Sequence, residues 1–309
     1  MIGVAIAAVA GFFVVRAIAN EWSSVRAALE DAEVGWLVAG VVLAAAAMVA
    51  IALPWRGCLA VVGVRVARGA ALAWYFVGEI GKYLPGGIWP VVGRGELARR
   101  GGHPRPATYA SVALSLALLY LAAMAVTAVL VPVRFLDEGS DALWVLVLLP
   151  FGLAALHHRP LEWLVRKLER FTQRELPMVV PRWQESLRLL VQYVPAWILV
   201  GTATWCIARA FDPDVDWITI APAAILSWIV GFVLVPVPGG VGVREAALVA
   251  LIGTSMGTGV RSAIAVTARL AFIVVDAGAA LVCATVLHRW RAPVPGAEAD
   301  PAAGPATES

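Results

Sequence analysis

Two short segments of the chain combine residue types that suit the binding of an anion. Residues 78–89 read GEIGKYLPGGIW, and Arg94 and Glu96 follow a few positions later. Residues 235–245 read VPVPGGVGVRE, so this segment also carries an arginine and a glutamate just after a Pro-Gly-Gly tripeptide. One segment lies in each half of the 309-residue chain. A single Pro-Gly-Gly would be weak evidence, but the matched pair predicts a shared site.

The chemistry follows from what proline and glycine do inside an apolar helix. Proline removes a helical hydrogen bond and glycine frees the backbone. In hydrocarbon, the released N–H and C=O groups must be buried in protein or face a water-filled cavity. The helix that starts at each glycine pair then directs its N–H groups and its dipole into that cavity. Broken segments paired in two halves also indicate a transport site. The alternative is a pair of kinked helices that bind nothing.

We predict a binding site for an anionic group such as a phosphate. The residues expected to bind the substrate are Lys82, Pro85, Gly86, Gly87, Arg94, Pro238, Gly239, Gly240, Arg244, Glu245 and Arg269. The residues expected to balance charge or to couple it to transport are Glu79, Glu96 and Asp276.

Four of these charges lie within long apolar stretches, where a charged side chain costs about 2.5–3.5 kcal/mol on insertion scales. Glu79 and Lys82 are three residues apart and can pair. Arg269 and Asp276 are seven residues apart, which places them on one face of a helix. For this second pair, an internal ion pair and a role in ligand binding or coupling are equally good interpretations.

The sequence contains no recognisable catalytic constellation. It has no Ser/His/Asp pattern, no P-loop and no acidic pair in a membrane-length stretch, and its three cysteines lack metal-ligand spacing. Glu79, Glu96 and Glu245 could act in acid–base chemistry, but nothing marks a substrate or a nucleophile for them. We therefore expect a protein that is not an enzyme and uses no cofactor or metal. The basic residues occur in short clusters, which excludes a nucleic-acid partner.

The elements that must position these residues are membrane helices. Hydrophobic residues make up 61% of the chain and charged residues 15%, whereas soluble domains carry about 25% charged residues. A bilayer core of about 30 Å needs about 20 apolar residues in a helix. The stretches that meet or approach this length are Ile2–Ala19, Gly35–Leu53, Ala107–Val131, Ala142–Leu156, Leu189–Phe211, Trp217–Val235 and Val260–Leu287. We expect an all-α, polytopic helical membrane bundle over residues 1–290 and a disordered tail over residues 291–309.

Loop charges predict the course of the chain between these spans. Arginine-rich loops stay on the cytoplasmic side, and arginines cluster up to Arg68 and again from Arg94. Residues 70–92 must then enter and leave the membrane on one face, as a re-entrant hairpin that turns at Pro-Gly-Gly. Residues 241–253 form a second short segment, and whether it crosses is open. Two such hairpins fit an inverted repeat. The basic residues 159–188 fit either an amphipathic surface helix or a helix packed under the bundle.

Both motifs resemble those of a known family, the lysylphosphatidylglycerol synthase transmembrane region, which is flippase-like. The resemblance rests on residues 81–89, GKYLPGGIW, with Arg94 following, and on residues 238–248, PGGVGVREAAL. It covers nearly the whole chain except the tail. In the synthetases that name the family, this region flips aminoacylated phosphatidylglycerol, which a soluble C-terminal domain makes. The sequence ends in a short tail at Ser309, so the resemblance implies lipid handling by a stand-alone member, without lysyl transfer from tRNA.

From the resemblance and the motifs together we expect a multi-pass protein of the bacterial plasma membrane. It would bind and flip an anionic phospholipid or a polyprenyl-phosphate-linked lipid, with a glycosyltransferase or a lipid-synthesis enzyme as a further partner. The alternative is a non-transporting membrane subunit that presents a lipid-linked substrate to a partner glycosyltransferase. A third interpretation is a transporter of small solutes that uses the same cavity.

Overall fold

Helices form every regular element in the described part of the chain. The computed structural model describes residues 32–84, 88–135, 182–233, 242–253 and 256–291. In chain order the helices are α1 (Val34–Ala52), α2 (Trp55–Val61), α3 (Arg68–Glu79), a 3-10 helix (Ile80–Tyr83), α4 (Trp89–Arg100), α5 (Arg105–Phe135), α6 (Trp183–Arg209), α7 (Trp217–Val233), α8 (Val243–Ile252) and α9 (Thr258–Arg291). The prediction of an all-α bundle is confirmed.

Within the described part of the chain, four helical stretches are long and apolar enough to cross a membrane. They are Val34–Val61, which joins α1 and α2, Arg105–Val131 in α5, Trp183–Arg209 and Thr258–Leu287 in α9. Each corresponds to one of the predicted spans. Helix α7 has 17 residues, or roughly 26 Å at 1.5 Å per residue, and is the shortest of the apolar candidates. The predicted spans Ile2–Ala19 and Ala142–Leu156, the surface segment up to residue 181 and the tail after residue 291 lie outside the described residues.

Helix α6 packs closely against its neighbours because small residues face it. A Cβ atom added at Gly40 of α1 would lie 2.6 Å from Ile207 of α6. A Cβ atom added at Gly201 of α6 would lie 2.7 Å from the side chain of Ala221 in α7. Glycine at such contacts lets two helix backbones approach, which is the usual way that membrane helices gain packing energy. The glycines of α1 and α6 therefore set how closely the long helices approach each other.

Two aromatic side chains of α6 carry its polar links to α5. Trp197 and Tyr193 are fully buried. The Trp197 indole N–H donates to the backbone carbonyl of Leu119 at 2.7 Å. The Tyr193 hydroxyl is 2.9 Å from the hydroxyl of Ser115. Because a buried aromatic N–H or O–H needs a partner, these bonds fix the register of α5 on α6 as well as filling the core.

Helices α3 and α4 form an antiparallel hairpin with very close backbones. A Cβ atom at Gly81 would lie 2.7 Å from the backbone of Trp89, and one at Gly78 would lie 2.6 Å from the backbone nitrogen of Arg94. Each helix has 12 residues, roughly 18 Å, which is too short to cross a core of about 30 Å. These lengths fit the predicted re-entrant hairpin, although its course relative to a bilayer stays a prediction, as does the inverted repeat.

The last two helices close the bundle around this hairpin. Helix α8 has 10 residues and is also too short to cross by itself, since it spans roughly 15 Å. It packs between α7 and α9, and α9 packs in turn against α3 and α1. The two short, broken segments of the chain therefore reach the same helix, α9, from different directions. Whether residues 241–253 turn back or belong to a crossing segment stays open.

The close approach of α3 and α4 can be tested at Gly78. Replacement by alanine in Gly78→Ala places a Cβ atom against the backbone of Arg94, so we expect a loss of about 1–3 kcal/mol from overpacking. The control is Gly278→Ala in α9, where an added Cβ atom meets nothing within 4 Å, and we expect its stability to hold or rise. Thermal unfolding in a mild detergent measures both. Equal melting temperatures for the two variants would contradict the packing of this hairpin.

Candidate functional site

A cavity of about 150 Å³ lies where residues of both sequence motifs meet. Its lining is mixed, with charged groups on one part of the wall and apolar side chains on the rest. The charged lining residues are Glu79, Lys82, Arg94, Arg244, Arg269 and Asp276. The aromatic lining residues are Tyr83, Tyr120, Trp228, Phe232 and Phe272. Helices α3 and α4 supply the first motif and α8 supplies the second, while α5, α7 and α9 supply the remaining wall.

The first motif places an acid, a lysine and an arginine on its hairpin. Glu79 is the last residue of α3, and Lys82 lies one turn later, so their side chains approach to 3.7 Å as predicted. Arg94, from the middle of α4, is only 1% exposed. Its Nε atom is 3.8 Å from Glu79, and its guanidinium carbon lies 4.8 Å from the ring centre of Tyr75. Arg94 is therefore neutralised and packed within the hairpin.

Asp276 of α9 ties the hairpin to the far end of the sequence. The Lys82 ammonium and the Tyr83 hydroxyl both lie 2.7 Å from the same carboxylate oxygen of Asp276. Hydrogen bonds to an ionised group are stronger than neutral ones, and Asp276 is only 3% exposed. Its second carboxylate oxygen is buried and has no hydrogen-bond partner among the described residues. Asp276 thus holds α9 against the turn that ends α3 and keeps one acceptor free.

Helix α8, which carries the end of the second motif, begins after a glycine in a left-handed backbone conformation. Gly242 has φ +80° at the start of α8, a backbone region that favours glycine. This turn places Arg244 and Glu245 in the first turn of α8, directly beside α9. The Glu245 carboxylate lies 3.4 Å from Nε of Arg269. These two side chains also line a second, much smaller polar chamber of about 10 Å³ next to the main cavity.

Arg244 differs from the other cationic residues of the cavity. Its guanidinium carbon lies 3.6 Å from the ring centre of Trp228 and 5.4 Å from that of Phe272. No carboxylate of the described residues lies within ion-pair distance of it, whereas Lys82, Arg94 and Arg269 each have an acidic partner. An aromatic face attracts a guanidinium without neutralising it. Arg244 therefore offers its N–H groups and a full positive charge to whatever enters the cavity.

The structure separates the predicted site residues into three groups. Six line the cavity, and Glu245 contacts it through Arg269. Glu96 does not line it: this side chain bonds to Arg99 at 2.7 Å and to Arg100 at 3.1 Å near the exposed end of α4. These arginines, Arg99 first, lower the pKa of Glu96 to about 2, so it balances surface charge. Residues outside the described ranges are Pro85, Gly86, Gly87, Pro238, Gly239 and Gly240.

The two charged residues of α9, Arg269 and Asp276, do not pair with each other. Arg269 and Asp276 both line the cavity, which agrees with their shared face, yet Arg269 pairs with Glu245 and Asp276 with Lys82. Seven helical residues separate two side chains by roughly 10 Å along the axis, which is too far for a direct bond. Each charge is therefore neutralised by a different broken segment.

Sequence reasoning missed the aromatic residues of the site. Tyr83 carried a usable signal, because it follows Lys82 inside the first motif and a buried hydroxyl needs a partner. Trp228 and Phe272 carried none, since an aromatic residue within an apolar span is usually core or interface packing. Only the folded chain shows that both rings lie beside Arg244.

Comparison with known proteins gives one family match. The family model described as the lysylphosphatidylglycerol synthase TM region matches residues 1–284. A comparison with curated proteins gives no match. The matched range includes both motifs and every charged residue that lines the cavity.

The different environments of the arginines predict different effects on stability. Changing Arg94→Gln removes a fully buried guanidinium and leaves the half-buried Glu79 with Lys82 as its cationic neighbour, so we expect a loss of about 1–3 kcal/mol. The matched control is Arg99→Gln on the same helix, whose ion pair is exposed, and we expect little change in its melting temperature. Thermal unfolding in detergent measures both variants. If the Arg94→Gln and Arg99→Gln variants have the same melting temperature, Arg94 does not stabilise the hairpin.

Proposed function

Because the chain belongs to the family of the lysylphosphatidylglycerol synthase TM region, we propose that it binds a membrane lipid by its anionic head group and moves it between leaflets. The lipid is an anionic phospholipid or a polyprenyl-phosphate-linked lipid, and its covalent structure is left unchanged. The protein is a membrane-embedded helical protein. We propose that this membrane is the plasma membrane of a bacterium.

The observation that carries the proposal is the guanidinium of Arg244 in the cavity wall, which has no acidic partner among the residues that the structure describes. An arginine offers five N–H donors in a planar fork that matches a phosphate. Arg244 is half-buried in a partly apolar wall, where a charge without a partner is costly, so an anionic ligand at this position stabilises the protein as well as being held by it. Arg94, the corresponding arginine of the first motif, already has Glu79 within 3.8 Å and is less available.

The charge balance around the cavity favours a ligand with one negative charge. Among the described residues, four cationic side chains meet three carboxylates, those of Glu79, Asp276 and Glu245, which leaves one positive charge in excess. A phosphodiester supplies one negative charge. A diphosphate carries more, so a lipid with a single phosphate fits this balance better.

The size and position of the cavity favour a head group over a whole lipid. A cavity of about 150 Å³ is similar to an engineered protein cavity that holds benzene, so it has room for a phosphate with a small substituent. Phe232 lines the cavity yet is 43% exposed, and it stacks on Tyr120 at 3.9 Å. Apolar lipid chains can therefore continue from the cavity past Phe232 along the outer surface of the bundle.

The alternative proposal is a subunit that presents a lipid-linked substrate to a glycosyltransferase without transporting it. It uses the same cavity and the same head-group contacts. The docking face proposed for it, residues 159–188, lies mostly outside the described residues. Translocation by the purified protein separates the two proposals.

The proposal is tested with purified protein in liposomes that contain a fluorescent phosphatidylglycerol. Translocation is measured as the fraction of lipid that becomes accessible to an impermeant quencher. We expect Arg244→Ala to reduce the rate about tenfold or more, because a hydrogen bond to a charged group contributes about 1.5–3 kcal/mol. The control is Arg209→Ala, whose guanidinium lies between Trp36 and Trp205 at the end of α6, away from the cavity.

Each result has a distinct meaning. Loss of translocation in Arg244→Ala but not in Arg209→Ala supports the proposal. Equal rates in wild type and Arg244→Ala refute this binding site. Binding of the lipid by wild type without any translocation favours the presenting subunit.

A further inference from the structure

Two aromatic rings lie beside Arg244, and a third ring holds one of them in place. The Trp228 ring lies 3.6 Å from the guanidinium carbon and meets Phe272 edge to face, with ring centres 5.2 Å apart. On its other side, Trp228 meets the fully buried Trp197 edge to face at 5.8 Å. Trp197 is in turn held to α5 by its hydrogen bond to Leu119. The ring under Arg244 is therefore anchored in the core rather than free to turn.

We propose that Trp228 is a positioning residue for the head-group anion. Its ring holds the guanidinium of Arg244 through the aromatic face and leaves the N–H edge and the positive charge for the ligand. This inference rests on the proposed function, since it assumes that Arg244 binds the anion. It assigns to Trp228 a role that neither the motifs nor the family match assigns.

A half-buried arginine such as Arg244 can be supported in one of three ways. A carboxylate would hold Arg244 firmly but would neutralise it and compete with an anionic ligand. An aliphatic side chain would leave the charge unsupported in an apolar wall, where it is costly. An aromatic face attracts the cation by about 0.5–2 kcal/mol and uses none of its hydrogen-bond donors. Only the aromatic support both stabilises the arginine and keeps it available.

The two motifs provide an internal comparison. Arg94 also lies beside two aromatic rings, 4.8 Å from the centre of Tyr75 and 5.9 Å from that of Trp55. There, however, Glu79 stands within 3.8 Å. Of the two motif arginines, Arg244 is the one that has ring support without a carboxylate partner among the described residues. At the first motif the contact between arginine and aromatic rings therefore contributes to packing. At the second motif the same kind of contact leaves the arginine available to a ligand.

The neighbouring glycine of α7 completes the support. Gly231 lies three residues after Trp228, hence on the same face of the helix. A Cβ atom at Gly231 would lie 3.2 Å from Cβ of Arg244, which is tighter than an ordinary contact. Helix α7 therefore presents a ring at one turn and a gap at the next, and the gap lets the start of α8 approach the ring.

The test measures lipid binding to detergent-solubilised full-length protein by native mass spectrometry. The probes are phosphatidylglycerol and a diacylglycerol with the same chains but no phosphate. We expect Trp228→Met, which fills space without an aromatic face, to weaken phosphatidylglycerol binding about five- to twentyfold. We expect Trp228→Phe to remain within about threefold of wild type, because it restores an aromatic face. Diacylglycerol binding is expected to be the same in all of them.

Two further variants keep the test decisive. Phe272→Leu removes the more distant ring, and we expect a loss of about two- to fivefold; it replaces Trp228→Met if that variant does not fold. Trp36→Leu is the matched control, because it removes a ring that lies 5.3 Å from Arg209, away from the cavity. We expect it to bind phosphatidylglycerol as wild type does. Melting temperatures are recorded for every variant.

The outcomes separate this inference from the proposed function. If Arg244→Ala binds phosphatidylglycerol as wild type does, the proposed function fails. If Arg244→Ala loses binding while Trp228→Met and Phe272→Leu keep it, the function stands and the positioning role is refuted. If Trp228→Phe and Trp228→Met lose binding equally, Trp228 serves packing alone, and the inference is again refuted. If Trp228→Met loses phosphatidylglycerol binding and Trp228→Phe retains it, the positioning role of Trp228 is supported.

Discussion

The need to pair charges inside an apolar bundle governs how this structure is arranged. Ionised side chains are costly in the bilayer unless they meet partners or water. Here Lys82, Asp276, Arg269 and Glu245 meet across the two broken segments and α9. Each of these segments is too short to be fixed in a membrane by its own length. The ion pairs, together with the hydroxyl of Tyr83, give the short helices a defined position against a long one.

Close packing supplies what the ion pairs alone do not. Gly78 of α3 and Gly81 of the 3-10 helix bring the hairpin into backbone contact with α4, and Gly231 of α7 lets the side chain of Arg244 in α8 approach closely. Charged groups can reach one another only because these backbones are so near. A cavity remains where residues of six α-helices and of the 3-10 helix converge without filling the space. The wall that surrounds it is rigid on the α6 side, where Trp197 and Tyr193 are both buried and hydrogen-bonded.

Patterns in the sequence predicted helices and contacts between residues close in the chain. They did not predict contacts between residues far apart in the chain. Apolar length identified the long helices, and the three-residue spacing of Glu79 and Lys82 identified their contact. The ion pairs of Glu96 could also be predicted from spacing, since Arg99 and Arg100 follow it at three and four residues. The position of Glu96 just after the first motif instead suggested a place in the site. The bond of Lys82 to Asp276 joins residues far apart in the chain, and no periodicity reports such a pairing. The aromatic support of Arg244 likewise depends on a fold that brings α7 and α8 together.

The bond between Tyr83 and Asp276 spans 193 residues of sequence, and that distance has a consequence for biogenesis. At a synthesis rate of roughly 5–20 residues per second, Asp276 leaves the ribosome roughly 10–40 s after Tyr83. During this interval Lys82 has Glu79 as its nearest acid, at 3.7 Å in the finished protein. The ion pair between Lys82 and Asp276 can form only after α9 has been made. Because α9 is the last of the described helices in chain order, this contact is among the last of the bundle to form during synthesis.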